Sequence, residues 1–88
     1  MDITFTTVMK QIAKNCMETR IGEPWAYGFA NGSRIVTALW NDELSILLED
    51  GEGFEIESQI LDFNKITEED LEQSVGYLLR CADGHMAA

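Results

Sequence analysis

The residues best suited to chemistry are concentrated in one stretch, Leu47 to Ser58, which reads LLEDGEGFEIES. It holds five carboxylates (Glu49, Asp50, Glu52, Glu55 and Glu57) and no base. Carboxylates at that density could serve a calcium site, a general acid–base pair or an acidic binding face. The calcium reading fails on spacing. An EF-hand loop sets acids at alternate positions ahead of its glycine, closes on a distant glutamate and sits between two helices. Acids at 49, 50, 52, 55 and 57 around Gly51 and Gly53 do not follow that order, and the flanking sequence is strand-like. A carboxylate pair for glycoside hydrolysis needs a cleft, which a chain of 88 residues has little volume to build.

The other reactive residue types are scattered. His85 stands close to the C-terminal end, in a segment expected to be an exposed, flexible tail over 83–88. A Cys–His or Ser–His pair requires fixed geometry, and Ser33, Ser45, Ser58 and Ser74 have no base nearby in sequence. Cys16 and Cys81 form no C-x-x-C pair, so neither zinc nor a redox motif is expected, and both read as small buried hydrophobes. The glycine signatures of phosphate and dinucleotide sites are missing, as is a nucleophile elbow. The expectation is a protein that is not an enzyme, with no catalytic residues, no cofactor and no metal.

Charge is the informative quantity. The chain has sixteen acids against six bases, a formal net charge of −10. Residues 1–40 hold three acids and four bases. Residues 41–88 hold thirteen acids against Lys65 and Arg80. Such asymmetry bears on partners rather than on fold. It disfavours direct binding to nucleic acid or to an anionic membrane and favours a basic partner surface. No apolar run approaches the ~20 residues of a membrane span, and the N-terminus lacks the pattern of a signal peptide. A cytoplasmic location is expected, in a host cell if the gene is carried by a phage.

These residues must be positioned by a small set of elements in one domain, 1–88. Phe5, Val8, Met9, Ile12, Ala13, Cys16 and Met17 recur at helical spacing and predict a helix over 4–19, with Asp2 or Thr4 as its cap. Gly22 and Pro24 end it. Four strands follow: WAYGFA (25–30), RIVTALW (34–40), ELSILL (43–48) and GFEIESQI (53–60). Their separators, NGS, ND and EDGE, are tight-turn chemistry and predict an antiparallel meander. A second helix is expected over 68–82. Thr67 and Asp70 stand at capping-box spacing, Ile66 and Leu71 at staple spacing, and Gly84 serves as the stop. The fold class is α+β: N-terminal helix, four-stranded antiparallel meander sheet and C-terminal helix (α-ββββ-α), both helices on one face in two layers. In an alternative, the first helix crosses the small-residue side formed by Ala26, Gly28, Ala30 and Ala38.

Two-residue alternation then assigns faces. A turn at Asn41-Asp42 sets Trp40 opposite Glu43 and Leu39 opposite Leu44. A three-residue loop at 30–32 sets Tyr27 opposite Ile35. A matching loop at 49–51, with Gly51 left-handed, sets Leu48 opposite Glu52, Ile46 opposite Phe54, Leu44 opposite Ile56, and Glu43 opposite Glu57. Phe54 and Ile56 then face the core, while Glu43, Glu49, Glu55 and Glu57 face outward around Trp40 and Leu47. Facing carboxylates destabilise a sheet by a few tenths to about 1 kcal/mol, which asks for a purpose.

The expected partner-binding residues are therefore Trp40, Asp42, Glu43, Leu47, Glu49, Asp50, Glu52, Glu55 and Glu57. Grooves that hold nucleic acid are lined by Lys and Arg, and a rigid sheet with spaced carboxylates offers a comparable negative array. In size, charge and α+β build the chain is similar to small acidic nucleic-acid mimics encoded by phages, among them some anti-CRISPR proteins. No family motif carries that likeness. The function expected is a small acidic inhibitor, a monomer or homodimer, that occupies a basic, nucleic-acid-binding surface of a protein partner such as an effector or nuclease. The alternatives are an immunity or antitoxin-type protein neutralising a basic nuclease, and a non-enzymatic homo-oligomeric regulatory subunit.

Overall fold

The hydrophobic periods of the chain resolve into six elements in a computed structural model that describes the backbone of residues 3–87 and the side chains of residues 5–82. They are α1 (Ile3–Met17), β1 (Trp25–Gly28), β2 (Arg34–Trp40), β3 (Glu43–Glu49), β4 (Glu55–Asp62) and α2 (Glu68–Ala87). The strands form one antiparallel sheet in the order β1-β2-β3-β4, a meander joined by short turns. The fold class read from the sequence is the one observed.

Both helices lie on the same sheet face. Ile12, Ala13 and Cys16 of α1 and Leu71, Val75, Leu78, Leu79 and Ala82 of α2 share one buried cluster with Ile35, Leu39, Leu44, Ile46 and Leu48 of the sheet. Burying a side chain of this size is worth about 1.5–3 kcal/mol, so this cluster decides the layering. The alternative, with α1 on the small-residue side, is excluded. Within the expected α1 stripe, Met17 departs and is exposed. The α1 cap at Asp2 lies outside the described residues. Thr4 sits inside the helix and does not precede it.

Local chemistry explains how the helices join the sheet. Gly22 takes a φ of 80°, as the left-handed turn after α1 requires. The Trp25 indole N–H donates to Thr19 Oγ1 at 2.7 Å, and Thr19 Oγ1 donates in turn to the Asn15 carbonyl at 3.0 Å. The end of α1 is thereby pinned to the first strand. At α2, Thr67 N–H donates to Asp70 Oδ2 at 3.0 Å and Asp70 N–H to Thr67 Oγ1 at 3.1 Å, a complete capping box. Glu68 and Glu69 sit in the first turn, favoured by the helix dipole. The helix continues past Gly84, where the sequence predicts its end, to Ala87. Glycine is a weak stop without a following proline or a bonded cap. The tail expected over 83–88 lies outside the described side chains.

The first two hairpins have the expected register. Trp25 pairs with Thr37, Tyr27 with Ile35, Trp40 with Glu43 and Ile35 with Leu48. Asn41 supports the tight turn with a φ of 53° and Gly32 supports the longer one with 92°. The third hairpin differs. Its loop spans residues 50–54 and β4 starts at Glu55, two residues later than predicted. Gly53, not Gly51, takes the left-handed φ, at 88°. Asp50 builds this loop: its Oδ1 accepts the N–H groups of Glu52 (2.9 Å) and Phe54 (3.0 Å), and its own N–H donates to the Phe54 carbonyl at 2.9 Å. The acid expected to meet a partner also forms the turn.

The longer loop shifts every pairing in β4. Leu44 faces Leu61 rather than Ile56, Ile46 faces Gln59 rather than Phe54, and Leu48 faces Glu57 rather than Glu52. Glu43 faces Asp62 rather than Glu57. A bulge between Leu48 and Glu49 leaves Ile56 without a cross-strand partner, although its side chain still packs against the core. Phe54, predicted to be core, is 66% exposed in the loop.

Candidate functional site

Because α1 and α2 share one side, no element among the described residues covers the opposite side of the sheet. Its residues follow from the ladder, since directly paired residues of an antiparallel sheet point the same way. One row holds Arg34, Glu49 and Glu55. The next holds Ala26, Val36, Leu47 and Ser58. A third holds Ala38, Ser45 and Ile60. The last holds Trp40, Glu43 and Asp62. The face therefore has an apolar and small-residue centre with charged rows at both ends.

The apolar anchors stand out from that centre. Trp40 is 71% exposed and Ile60 is 67% exposed, whereas Val36 and Leu47 are half-buried among their neighbours. Pro24, Trp25, Ala26, Arg34, Val36 and Glu49 line a shallow depression at the β1 side of the same face. Exposed aromatic and aliphatic side chains rimmed by charge are the usual anatomy of an interface centre and rim.

The end rows are electrostatically unlike. At one end Arg34 Nε donates to Glu49 Oε1 at 2.7 Å, which neutralises one carboxylate of the facing pair Glu49–Glu55. At the other end Glu43 faces Asp62, and exposed Lys65 sets its Nζ 4.0 Å from Asp62 Oδ2. Asp62 Oδ1 also accepts the Asn64 N–H at 3.0 Å. Formal charges sum to −1 for Arg34, Glu49 and Glu55 and to −2 for Glu43 and Asp62. The whole face carries −3.

The expected binding residues divide accordingly. Trp40, Glu43, Leu47, Glu49 and Glu55 come together on the open face, with Asp42 in the turn beside Trp40. Asp50 and Glu52 lie in the 50–54 loop, with Asp50 committed to the turn. Glu57 is a correction. It points to the helix side, where Oε2 accepts the Tyr77 hydroxyl at 3.0 Å and Oε1 accepts the Ser58 N–H at 3.1 Å. The β4 pairing slides by five residues, an odd number that includes the one-residue bulge, so Glu57 turns off the face while Ile60 and Asp62 come onto it. Sequence reasoning misses those two; it places Arg34 on the outward face but leaves it out of the binding set. The available signal was Gly53: choosing it as the left-handed residue gives the Glu49–Glu55 pairing, and the bulge at Ile56 adds the remaining residue of the shift.

Two other features bear on chemistry. Burial pushes the Cys16 thiol up to about 11, partly offset by its contact with Thr37 Oγ1 at 4.0 Å. A thiol held protonated at neutral pH is a poor nucleophile. Among the described residues, no three His, Cys, Asp or Glu side chains are grouped to hold a metal ion. No helix among them is long and apolar enough to cross a membrane.

No protein-family model, no curated protein and no solved structure matches this chain.

Proposed function

We propose that this protein is a small acidic binding module whose open sheet face engages the basic, nucleic-acid-binding surface of a protein partner and thereby competes with nucleic acid. The single observation that carries the reading is the uncovered face itself, where Leu47 and Ile60 lie between the facing acid pairs Glu43–Asp62 and Glu49–Glu55 and exposed Trp40 stands beside Glu43. The Glu43–Asp62 pair disfavours the isolated fold by a few tenths to about 1 kcal/mol, less where Arg34 already offsets Glu49 beside Glu55, and an approaching cationic surface relieves it. Long-range attraction from a chain of net charge −10 speeds the encounter and makes it sensitive to salt. Desolvation of Trp40 supplies the short-range term.

The test begins with proteins retained from a low-salt host lysate on the immobilised chain. Each is then purified and measured alone. The expected partner is displaced by duplex DNA, weakens steadily with added salt, and loses about tenfold or more (1.4 kcal/mol) when Glu43, Glu55 and Asp62 become lysine. The pair Glu68→Lys and Glu69→Lys, on α2, retains binding. Equal losses for the two sets, or binding indifferent to salt, would refute the reading.

A further inference from the structure

We infer that the outer edge of β4 between Ser58 and Asp62 is a docking seam for one short extended segment of a basic partner, which adds to the sheet as a fifth strand. The partner's charge rests on the reading above; the seam rests on backbone geometry.

That geometry follows from ladder alternation. Phe63 N–H donates to the Asp42 carbonyl at 2.7 Å, so the main-chain groups of Phe63, Leu61, Gln59 and Glu57 point at β3. Those of Ser58, Ile60 and Asp62 point away, to the edge. Two further bonds agree with this parity and also close the edge at its ends. The Ser58 N–H is taken by Glu57 Oε1 at 3.1 Å. The Asp62 carbonyl accepts the N–H groups of Lys65 (3.0 Å) and Ile66 (3.1 Å). Between these seals remain the Ser58 carbonyl, the Ile60 N–H and carbonyl, and the Asp62 N–H. They are two acceptors and two donors, with no main-chain partner among the described residues.

The side chains make this window unlike a guarded edge. Natural edges are blunted by lysine, proline or a charge at the exposed centre. Here the centre is Ile60, apolar and 67% exposed, on the row with Ala38 and Ser45. An apolar residue placed across from it extends the strip of the open face by one strand. β4 carries Glu55, Glu57 and Asp62 and no base, so an incoming strand is favoured when its ends are basic. A second copy would bring another β4 with three acids and a chain of −10, and charge selects against it. Strand addition draws affinity from main-chain bonds and specificity from alternate side chains.

The probe is a blocked six-residue peptide with valine at its centre, threonine beside it and lysine and arginine at its ends, compared with blocked hexalysine at low salt. With the peptide, amide shifts concentrate on residues 58–62, and hydrogen exchange at Ile60 and Asp62 slows about tenfold or more. Ile60→Pro removes only a donor aimed at solvent and weakens the peptide about tenfold. Ile60→Lys, which keeps the donor but sets a cation beside the basic strand, weakens it several-fold. Ile60→Thr retains most of the binding. Hexalysine spreads its shifts over Glu43, Glu49 and Glu55 and gives no protection at Ile60. If the valine peptide behaves as hexalysine does, the seam is refuted while the acidic-face reading stands. If neither peptide binds, both fail. Protection at Ile60 that grows with protein concentration alone would replace the basic partner by a second copy and overturn the proposal.

Discussion

The Tyr77 hydroxyl on α2 donates to Glu57 Oε2 on β4 at 3.0 Å, while the other oxygen of that carboxylate accepts the Ser58 N–H at 3.1 Å. One acid thus ties the second helix to the edge strand and closes one end of the exposed backbone window. It also holds a proton on the phenol. Tyr77 is pushed up from 10 to about 12, first by the hydrogen bond to Glu57, then by a hydrogen bond and charge from Cys81.

A raised phenol value has a defined consequence for stability. The unfolded chain releases the proton first as pH rises, so this contribution is complete below about pH 10 and is lost between 10 and about 12. Tyrosinate absorbance of the folded protein is expected to show one phenol titrating late. In Glu57→Gln the late midpoint moves back toward 10. A late midpoint unchanged by Glu57→Gln would exclude the pairing as its cause.

Cys16 acts in the same direction at slightly lower pH. Its folded value of about 11 lies above its ordinary 9, so stability falls as pH rises from 9 to 11, by roughly 2–3 kcal/mol in all. At mildly alkaline pH a thiol reagent is expected to modify the half-buried Cys81 quickly and Cys16 only at the rate of unfolding. Two equal fast phases in the native protein would contradict this burial.

Gly76 sits mid-helix in α2, where alanine is worth about 1 kcal/mol more than glycine. A Cβ there would meet Met9 Sδ at 3.2 Å. That atom ends a flexible, half-buried side chain and can move a few tenths of an ångström. Gly76→Ala is therefore expected to stabilise the fold by about 0.5 kcal/mol, and Gly76→Leu to destabilise it by about 1–3 kcal/mol by forcing α1 from α2. Denaturant midpoints measure both. A destabilised alanine variant would show that Met9 is fixed.

Trp40 and Ile46 separate binding from folding. Ile46 is fully buried at the centre of the sheet, and Ile46→Ala is expected to cost about 2–5 kcal/mol in denaturant melts. Trp40 is 71% exposed, and Trp40→Ala is expected to change stability by no more than about 0.5 kcal/mol. The same variant is expected to weaken the basic partner by tenfold or more. A large stability loss for Trp40→Ala would place that side chain in the fold rather than at an interface.

Most of the fold was legible in local sequence because its signals are short-ranged. The α2 cap at Thr67 and Asp70, the turns at Asn41 and Gly32, and the alternation of β2 and β3 depend on neighbours a few residues apart. The acid pairs were half legible. A facing pair at Glu43 was expected, but with Glu57 as its partner. Asp50-Gly51-Glu52-Gly53 offers two glycines, and either can turn left-handed. Choosing Gly53 slides the pairing by four residues and the bulge adds a fifth, which changes every partner along the strand. Asp50 accepts two loop N–H groups and so favours the longer loop, a preference visible only once those groups converge.

The sequence by itself determined the element order, the charge and the existence of one apolar sheet face, since each is a property of composition or of short period. Tertiary structure decided which face stays open and what stands on it. Leu71, Val75 and Leu78 of α2 and Ile12 and Cys16 of α1 bury against the same Ile35, Leu44, Ile46 and Leu48, so both helices take one side. That common burial exposes Trp40, and the β4 register turns Glu57 toward Tyr77 while it sets Ile60 and Asp62 on the open face. The first outcome depends on side chains more than twenty residues apart burying against one apolar surface, and the second on a loop and a bulge whose effect appears only when β4 pairs with β3.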